Sequence, residues 1–149
     1  MGAWGAMGSG RCTRFAELPA EVQVIVTDAR RATFGSIDER GRPHLVPITF
    51  ALRNGELVSA IDHKPKTTTA LARLRNIARN PEVSVLIDRY DEQWIRLGWV
   101  MVRGAARIDA PGSATKALSA RYPQYRSFPP AGEVITVTPR SIVWWTWAE

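Results

Sequence analysis

Between two apolar runs, His44 to Leu52 and Glu56 to Ile61, stands the dipeptide Asn54-Gly55. Both residues tolerate positive φ, and such a pair between strand-like segments marks a tight two-residue hairpin. The middle of the chain is therefore committed to antiparallel pairing. In the first run Val46, Ile48, Phe50 and Leu52 alternate with Leu45, Pro47, Thr49 and Ala51, so the two sets face opposite ways. Pro47 cannot donate to a strand ladder, which makes its face an edge, a bulge, or a surface covered by something other than a strand. Pro47, Thr49 and Ala51 are small enough to form a flat face against which a planar ring could lie, while Ile48 and Phe50 fill the core. A solvent-facing edge strand explains the same pattern equally well.

The rest of the chain extends this pattern. Phe15 to Arg30 carries apolar residues at helical spacing, with Pro19 in its first turn or marking its true start. Ala32 to Ile37 precedes a polar turn ending in Gly41-Arg42-Pro43, and a second helix is expected from Thr67 to Asn80, stopped by Asn80-Pro81. Strands are expected at 83–87, 97–109, 134–138 and 142–147, the last two interrupted by Pro139, with a helix at 114–122 and a loop at 123–132. In 97–109, Val100, Val102, Ala106 and Ile108 form one side and Trp99, Met101, Arg103 and Arg107 the other. About six strands and three helices predict a mainly β (α+β) fold, a small antiparallel barrel with peripheral helices. Its 149 residues suffice for one domain and are too few for two ordinary ones. Residues 1–12, with Gly at 2, 5, 8 and 10, read as a flexible lead or expression scar, leaving 13–149 as the domain.

Several chemistries are excluded early. The sequence has no Gly-x-Gly-x-x-Gly after a strand, Walker loop, His-Glu-x-x-His or Gly-x-Ser-x-Gly. One cysteine, Cys12, forbids an internal disulfide and favours a reducing compartment, and two histidines make a multi-His metal site improbable. No apolar run reaches the roughly 18 to 20 residues needed to span a bilayer, and the N-terminus lacks a signal-peptide pattern, so a cytoplasmic protein without a membrane partner is expected.

What remains is charge. Twenty Lys and Arg against fourteen Asp and Glu give a net +6, and the stretch from His63 to Pro81 holds five cations and no carboxylate: Lys64, Lys66, Arg73, Arg75 and Arg79. They lie on a loop entering a helix N-terminus, where free backbone N–H groups and the helix dipole favour an anion, and the Thr67 hydroxyl and its neighbours add donors. Lys64, Lys66 and Thr67 thus form a candidate phosphate site. The three arginines alone are equally well explained as the solvated face of an amphipathic helix. Five cations at one helix start suit a compact anion, whereas a nucleic-acid groove spreads its charge along a track. Trp99, Met101, Trp145 and Trp147 are too many large apolar groups for one small core and point to a homodimer interface or a pocket rimmed by two subunits; packing under a terminal helix is the competing account.

The ordered series Arg42-Pro43-His44-Leu45-Val46-Pro47-Ile48, Asn54-Gly55, Asp62-His63-Lys64-Pro65-Lys66, Arg75-Asn76-Ile77 and Asn80-Pro81-Glu82-Val83-Ser84 resembles the pyridoxamine 5′-phosphate oxidase-like split β-barrel flavoproteins. Within them it is most similar to the actinobacterial branch that uses the deazaflavin coenzyme F420 in place of FMN. The likeness runs from about Phe15 to Trp147 and includes Gly98 to Gly104 and Arg121-Tyr122-Pro123-Gln124-Tyr125. It implies a six-stranded FMN-binding-type split barrel, a homodimer, and a cofactor at the subunit interface. It also implies that Pro47, Ile48 and Thr49 line the ring together with Ser59, Ala60 and Ile61, and that Lys64, Lys66 and Thr67 bind phosphate. Arg75 and Asn76 would reach the ribityl or phosphate region, Asn76 being equally explicable as a helix contact. Tyr125 and a C-terminal Trp would come from the other subunit. No motif for a pyridoxal-type substrate is found.

The reading that follows is an F420-dependent oxidoreductase transferring hydride to a small organic acceptor. It needs no catalytic acid–base side chain and no metal, because the cofactor carries the chemistry. The anionic tail of the deazaflavin coenzyme suits so basic a region, with Arg73 and Arg79 as candidates for it. The alternatives are an FMN-dependent oxidoreductase of the same fold and a non-catalytic F420- or flavin-binding protein.

Overall fold

The computed structural model describes residues 8–62 and 68–147, with the backbone alone for 68–71. Eight strands form one antiparallel sheet: β1 (Gly8–Cys12), β2 (Ala32–Ile37), β3 (Pro43–Ile48), β4 (Ala51–Arg53), β5 (Glu56–Ala60), β6 (Glu82–Arg89), β7 (Gly98–Asp109) and β8 (Val134–Thr146). Four helices flank them: α1 (Ala20–Asp28), α2 (Thr68–Arg79), α3 (Thr115–Arg121) and α4 (Gln124–Ser127). The pairing order is β3-β2-β6-β7-β8-β5-β4, with β1 on the edge of β8 that β5 shares. The two ends of that order, β3 and β4, are separated in sequence by Thr49 and Phe50 alone. The sheet must therefore curl until its edges approach each other, giving a barrel split at this corner.

The expected six strands become eight for two reasons. His44 to Leu52 is not one strand: β3 pairs with β2 and β4 with β5, so the chain changes partners at Thr49–Phe50. The alternation breaks there too, since Ala51 is buried and Leu52 is 39% exposed. The second addition is β1, from within the predicted lead. Its glycines serve contact: a Cβ on Gly10 would lie 2.3 Å from the Trp144 ring, so only glycine lets that strand lie beside the indole. Pro139, conversely, does not interrupt β8. The register shifts at Arg103/Gly104, with Arg103 opposite Ser141 and Gly104 opposite Pro139, so the proline sits at a β-bulge.

Other elements differ by local chemistry. Phe15 to Arg30 is a 3-10 turn (Phe15–Glu17) followed by α1, because Pro19 caps α1, its carbonyl accepting from the N–H of Val22 and Gln23. The predicted loop 123–132 contains the single turn of α4. Asn54 (φ 52°) and Gly55 (φ 79°) form the expected hairpin turn.

Phe34, Phe50, Leu57, Val85, Ile87, Val100, Val102 and Ile142 fill the barrel, joined by Val22, Ile25 and Val26 of α1 and Ile77 of α2. Ile108, expected on that face of β7, is 40% exposed. A second cluster, Ala51, Val58, Ala60, Leu118, Tyr122, Tyr125 and Val134, lies under α3 and α4. β5 thus feeds Leu57 to one core and Val58 and Ala60 to the other, and Ile61, just beyond it, joins the first.

The hairpin is clamped to the long strands by Glu56. Arg107 donates to both carboxylate oxygens (2.6 and 3.0 Å) and the Thr138 hydroxyl donates to one (2.5 Å). The Arg107 bonds first, then Thr138, hold the Glu56 carboxyl down at about 2, against 4.5 ordinarily. A carboxyl depressed in the folded state stabilises it fully above the unfolded value, and that stability is lost as pH falls from about 4.5 through about 2. The side chains are 49% and 22% exposed, so screening limits the pair to about 1 kcal/mol. Glu56→Gln should cost that much in urea titration at neutral pH, and the deficit should shrink as pH falls towards about 2.

Candidate functional site

The corner where β3 passes to β4 is built by three hydrogen-bonded side chains from distant parts of the chain. Thr49 follows the end of β3, Asp62 follows β5, and Tyr125 projects from α4. The Tyr125 hydroxyl donates to Asp62 Oδ1 (3.0 Å) and lies 2.8 Å from Thr49 Oγ1. Burial, above all, pushes the Tyr125 phenol up to about 12; the Thr49 bond lowers it and Asp62 raises it. The phenol therefore keeps its proton at neutral pH and acts as a donor.

The backbone behind this trio is pinned. The Phe50 N–H donates to the Tyr122 hydroxyl (3.1 Å), which donates to the Arg30 carbonyl (3.0 Å). Arg121 lays its guanidinium over the Phe50 ring, 4.5 Å from the centroid, and donates to the carbonyls of Val26 (2.9 Å) and Ala29 at the end of α1. On the β5 side, Ile61 exchanges backbone bonds with Glu133 and Gly132 (3.0 Å each), and a Cβ on Gly132 would stand 2.6 Å from the Ile61 carbonyl oxygen. The corner is thus held rigidly from both flanks.

The predicted site residues divide into three groups. Pro47 and Ile48 end β3, which is an edge of the sheet path, with Thr49 just after it, and Ser59 and Ala60 end β5, with Ile61 just after it. Pro47 is exposed and Thr49 half-buried, whereas Ile48, Ser59, Ala60 and Ile61 are all buried within the chain. The predicted flat face is therefore open at Pro47 and Thr49 but closed at Ala51, which lies under α3. Arg75 is exposed on α2, while Asn76 is 4% exposed and donates its amide to Ser36 Oγ (3.1 Å), so this contact ties α2 to β2. Lys64, Lys66 and Thr67 lie outside the described residues.

Two residues stand out. Tyr125, assigned by resemblance to a partner subunit, bonds Thr49 and Asp62 of its own chain. Arg73, unlike Arg75 and Arg79 on the same helix, is distinguished by burial. Desolvation lowers its pKa against the raising pull of Asp62, and its buried Nε has no hydrogen-bond partner among the described residues. The helical spacing carries this signal, because Arg73 stands four residues before buried Ile77 and shares its face, while Arg75 and Arg79 lie on the opposite, exposed one. A buried guanidinium nitrogen left unpaired is costly, and an anion or polar ligand would satisfy it.

A family model described as pyridoxamine 5′-phosphate oxidase matches residues 18–145. The chain belongs to that family. Its curled antiparallel sheet is consistent with the split barrel that the resemblance implies. Among solved structures, a conserved hypothetical protein from Mycobacterium tuberculosis is 21% identical, with a TM-score of 0.66 over 87% of this chain and 86% of that one. A FAD-binding protein from Mesorhizobium loti is 17% identical over 95% and 98%, with a TM-score of 0.63. A heme binding protein from Mycobacterium smegmatis is 17% identical, with a TM-score of 0.65 over 85% of this chain and 54% of that one. At these identities the likeness is one of fold. No protein of curated function matches the chain by sequence. Among the described residues no helix is long and apolar enough to cross a membrane, and no cluster of His, Cys, Asp and Glu could hold a metal ion.

Proposed function

We propose that this chain is an F420-dependent oxidoreductase that passes hydride between the deazaflavin ring and a small organic acceptor. The observation that carries the reading is the buried Nε of Arg73 on α2, unpaired among the described residues, in the helix that follows the basic stretch Lys64 to Thr67 in sequence. A donor set of two lysines, three arginines and a helix N-terminus suits a polyanionic tail better than a single phosphate. The residues present fit such a group: Lys64, Lys66 and Thr67 would hold its phosphate, and Pro47 and Thr49 its ring. Arg73 and Arg79 of α2 would bind the tail and Arg75 the ribityl or phosphate region. When bound, the deazaflavin supplies the hydride chemistry at its central ring carbon. The chain's own part is to bind and orient: the Tyr122 and Arg121 contacts keep the Thr49–Phe50 backbone fixed, and the buried Ile48, Ala60 and Ile61 exclude water from behind.

A homodimer completes this reading. Trp99 faces Trp145 and Met101 faces Val143 across β7 and β8, with Leu86 beside Met101 on β6 and 38% exposed. This apolar stripe on the outer sheet face, with Trp94 and Trp147 packed edge-to-face at 6.3 Å near its end, is the surface a second copy would cover. An FMN-dependent oxidoreductase is the second reading, favoured by the family match and by the FAD-binding relative of nearly equal length.

Titration of the cofactor-free protein with F420 and with FMN, followed by ligand fluorescence, separates the two. Preferential binding of F420 is expected. Tight binding of FMN alone transfers the chain to the flavin reading, and binding of neither removes both.

A further inference from the structure

We infer that Tyr125 is a positioning residue that locks the Thr49 hydroxyl as a hydrogen-bond acceptor, so that the bound ring must present an N–H or O–H to it. This rests on the cofactor reading above and narrows it to a specificity rule.

The inference follows from counting protons. A carboxylate has none to give, so in the Tyr125–Asp62 contact the phenol is the donor, and its only proton is used there. The 2.8 Å contact between Tyr125 and Thr49 then requires the other hydrogen, that of the Thr49 hydroxyl. Thr49 donates to Tyr125, Tyr125 donates to Asp62, and the array has one direction. The lowering effect of the Thr49 bond on the Tyr125 phenol agrees with it, since a bond donated to the phenol oxygen favours the phenolate.

With its proton committed, Thr49 Oγ1 retains only lone pairs for a ligand. Thr49 is half-buried at the end of β3, next to exposed Pro47, so those lone pairs border the one open part of the small-residue face. A free threonine hydroxyl rotates to donate or accept and discriminates poorly. A locked one leaves a carbonyl presented to it unpaired, and such a mismatch in a desolvated site is heavily penalised. The ligand class selected is a planar heterocycle with a lactam N–H, or a polyol hydroxyl, at this position.

The test compares F420 and FMN with their forms methylated at the ring lactam oxygen, in which the ring nitrogen offers a lone pair where the lactam offers N–H, titrated against wild type, Tyr125→Phe, Thr49→Val and Thr49→Ser, with urea unfolding to verify the fold. Wild type and Thr49→Ser should prefer the free lactam of the ring they bind by about tenfold. In Tyr125→Phe the hydroxyl is free to rotate, and in Thr49→Val it is gone, so the preference should fall to about twofold in both. The steric part of the penalty for methylation is common to all four proteins and cancels in the comparison. A folded Tyr125→Phe protein that keeps the wild-type preference overturns the inference and leaves the cofactor reading standing. If wild type binds neither F420 nor FMN, the cofactor reading fails and the inference goes with it.

Discussion

The Lys64→Ala/Lys66→Ala double variant should bind F420 at least about a hundredfold more weakly than wild type while unfolding at the same urea concentration. Each lysine in contact with a phosphate contributes a charge-assisted hydrogen bond of about 1.5 to 3 kcal/mol. Losing two is worth about 3 kcal/mol or more, and about 1.4 kcal/mol is tenfold in affinity. The fold should not register the change, because the core is built from apolar side chains such as Phe34, Phe50, Leu57, Val100 and Ile142, none of which the substitutions alter. Salt adds a second reading: wild-type affinity should fall as ionic strength rises, and the variant's slope should be shallower. Fluorescence titration at two salt concentrations measures both quantities. Wild-type affinity in the double variant would place the anion elsewhere, with the unpaired Nε of Arg73 the next group to test.

Gly104→Ala should be the most damaging single methyl in the barrel, lowering stability by about 3 kcal/mol. A Cβ there would stand 2.1 Å from the Thr138 carbonyl oxygen, 2.9 Å from its carbon and 3.2 Å from Pro139 Cα. All three are backbone atoms of β8 at the bulge, so no side-chain rotation relieves the overlap. The long strands must separate where they exchange register, and β8 also carries β5 and β1 on its far edge. For a domain of this length the loss corresponds to a melting temperature about 10 °C lower. Gly41→Ala is the control: it has open space but φ +76°, so it should cost only about 1 kcal/mol. Thermal unfolding of the two variants side by side settles the point, and equal losses would show that β7 and β8 do not approach as closely as the bulge requires.

Legibility of the fold in the sequence followed the range of the forces involved. Asn54-Gly55 needed nothing beyond its own φ preferences, and its hairpin formed as expected. Pro19 likewise fixed the start of α1 locally. Glycine and proline elsewhere misled, because their role was set by a neighbour distant in sequence. Gly10 reads as flexibility until Trp144 lies against it, and Pro139 reads as an interruption until Gly104 accommodates it in a bulge. The alternation through Phe50 is sound, yet it fails at Ala51 and Leu52 because the chain changes sheet partners there.

The candidate site shows the same division. Its charge was in the sequence: five cations without a carboxylate from His63 to Pro81 favour an anion, because electrostatic attraction depends on sign and density before detailed geometry. Which arginine differs from the others was there in part, since Arg73 shares the face of Ile77, but that this face is the packed one is decided by tertiary structure. Tyr125 carries no signal beyond its presence in Arg121-Tyr122-Pro123-Gln124-Tyr125. Sequence determined the antiparallel architecture, the turn and the basic helix entry, all consequences of local dihedral preference, periodicity and charge. Tertiary structure alone decided that Thr49, Asp62 and Tyr125 share one ordered set of protons, because a hydrogen bond depends on distance and direction between groups that the chain keeps up to 76 residues apart.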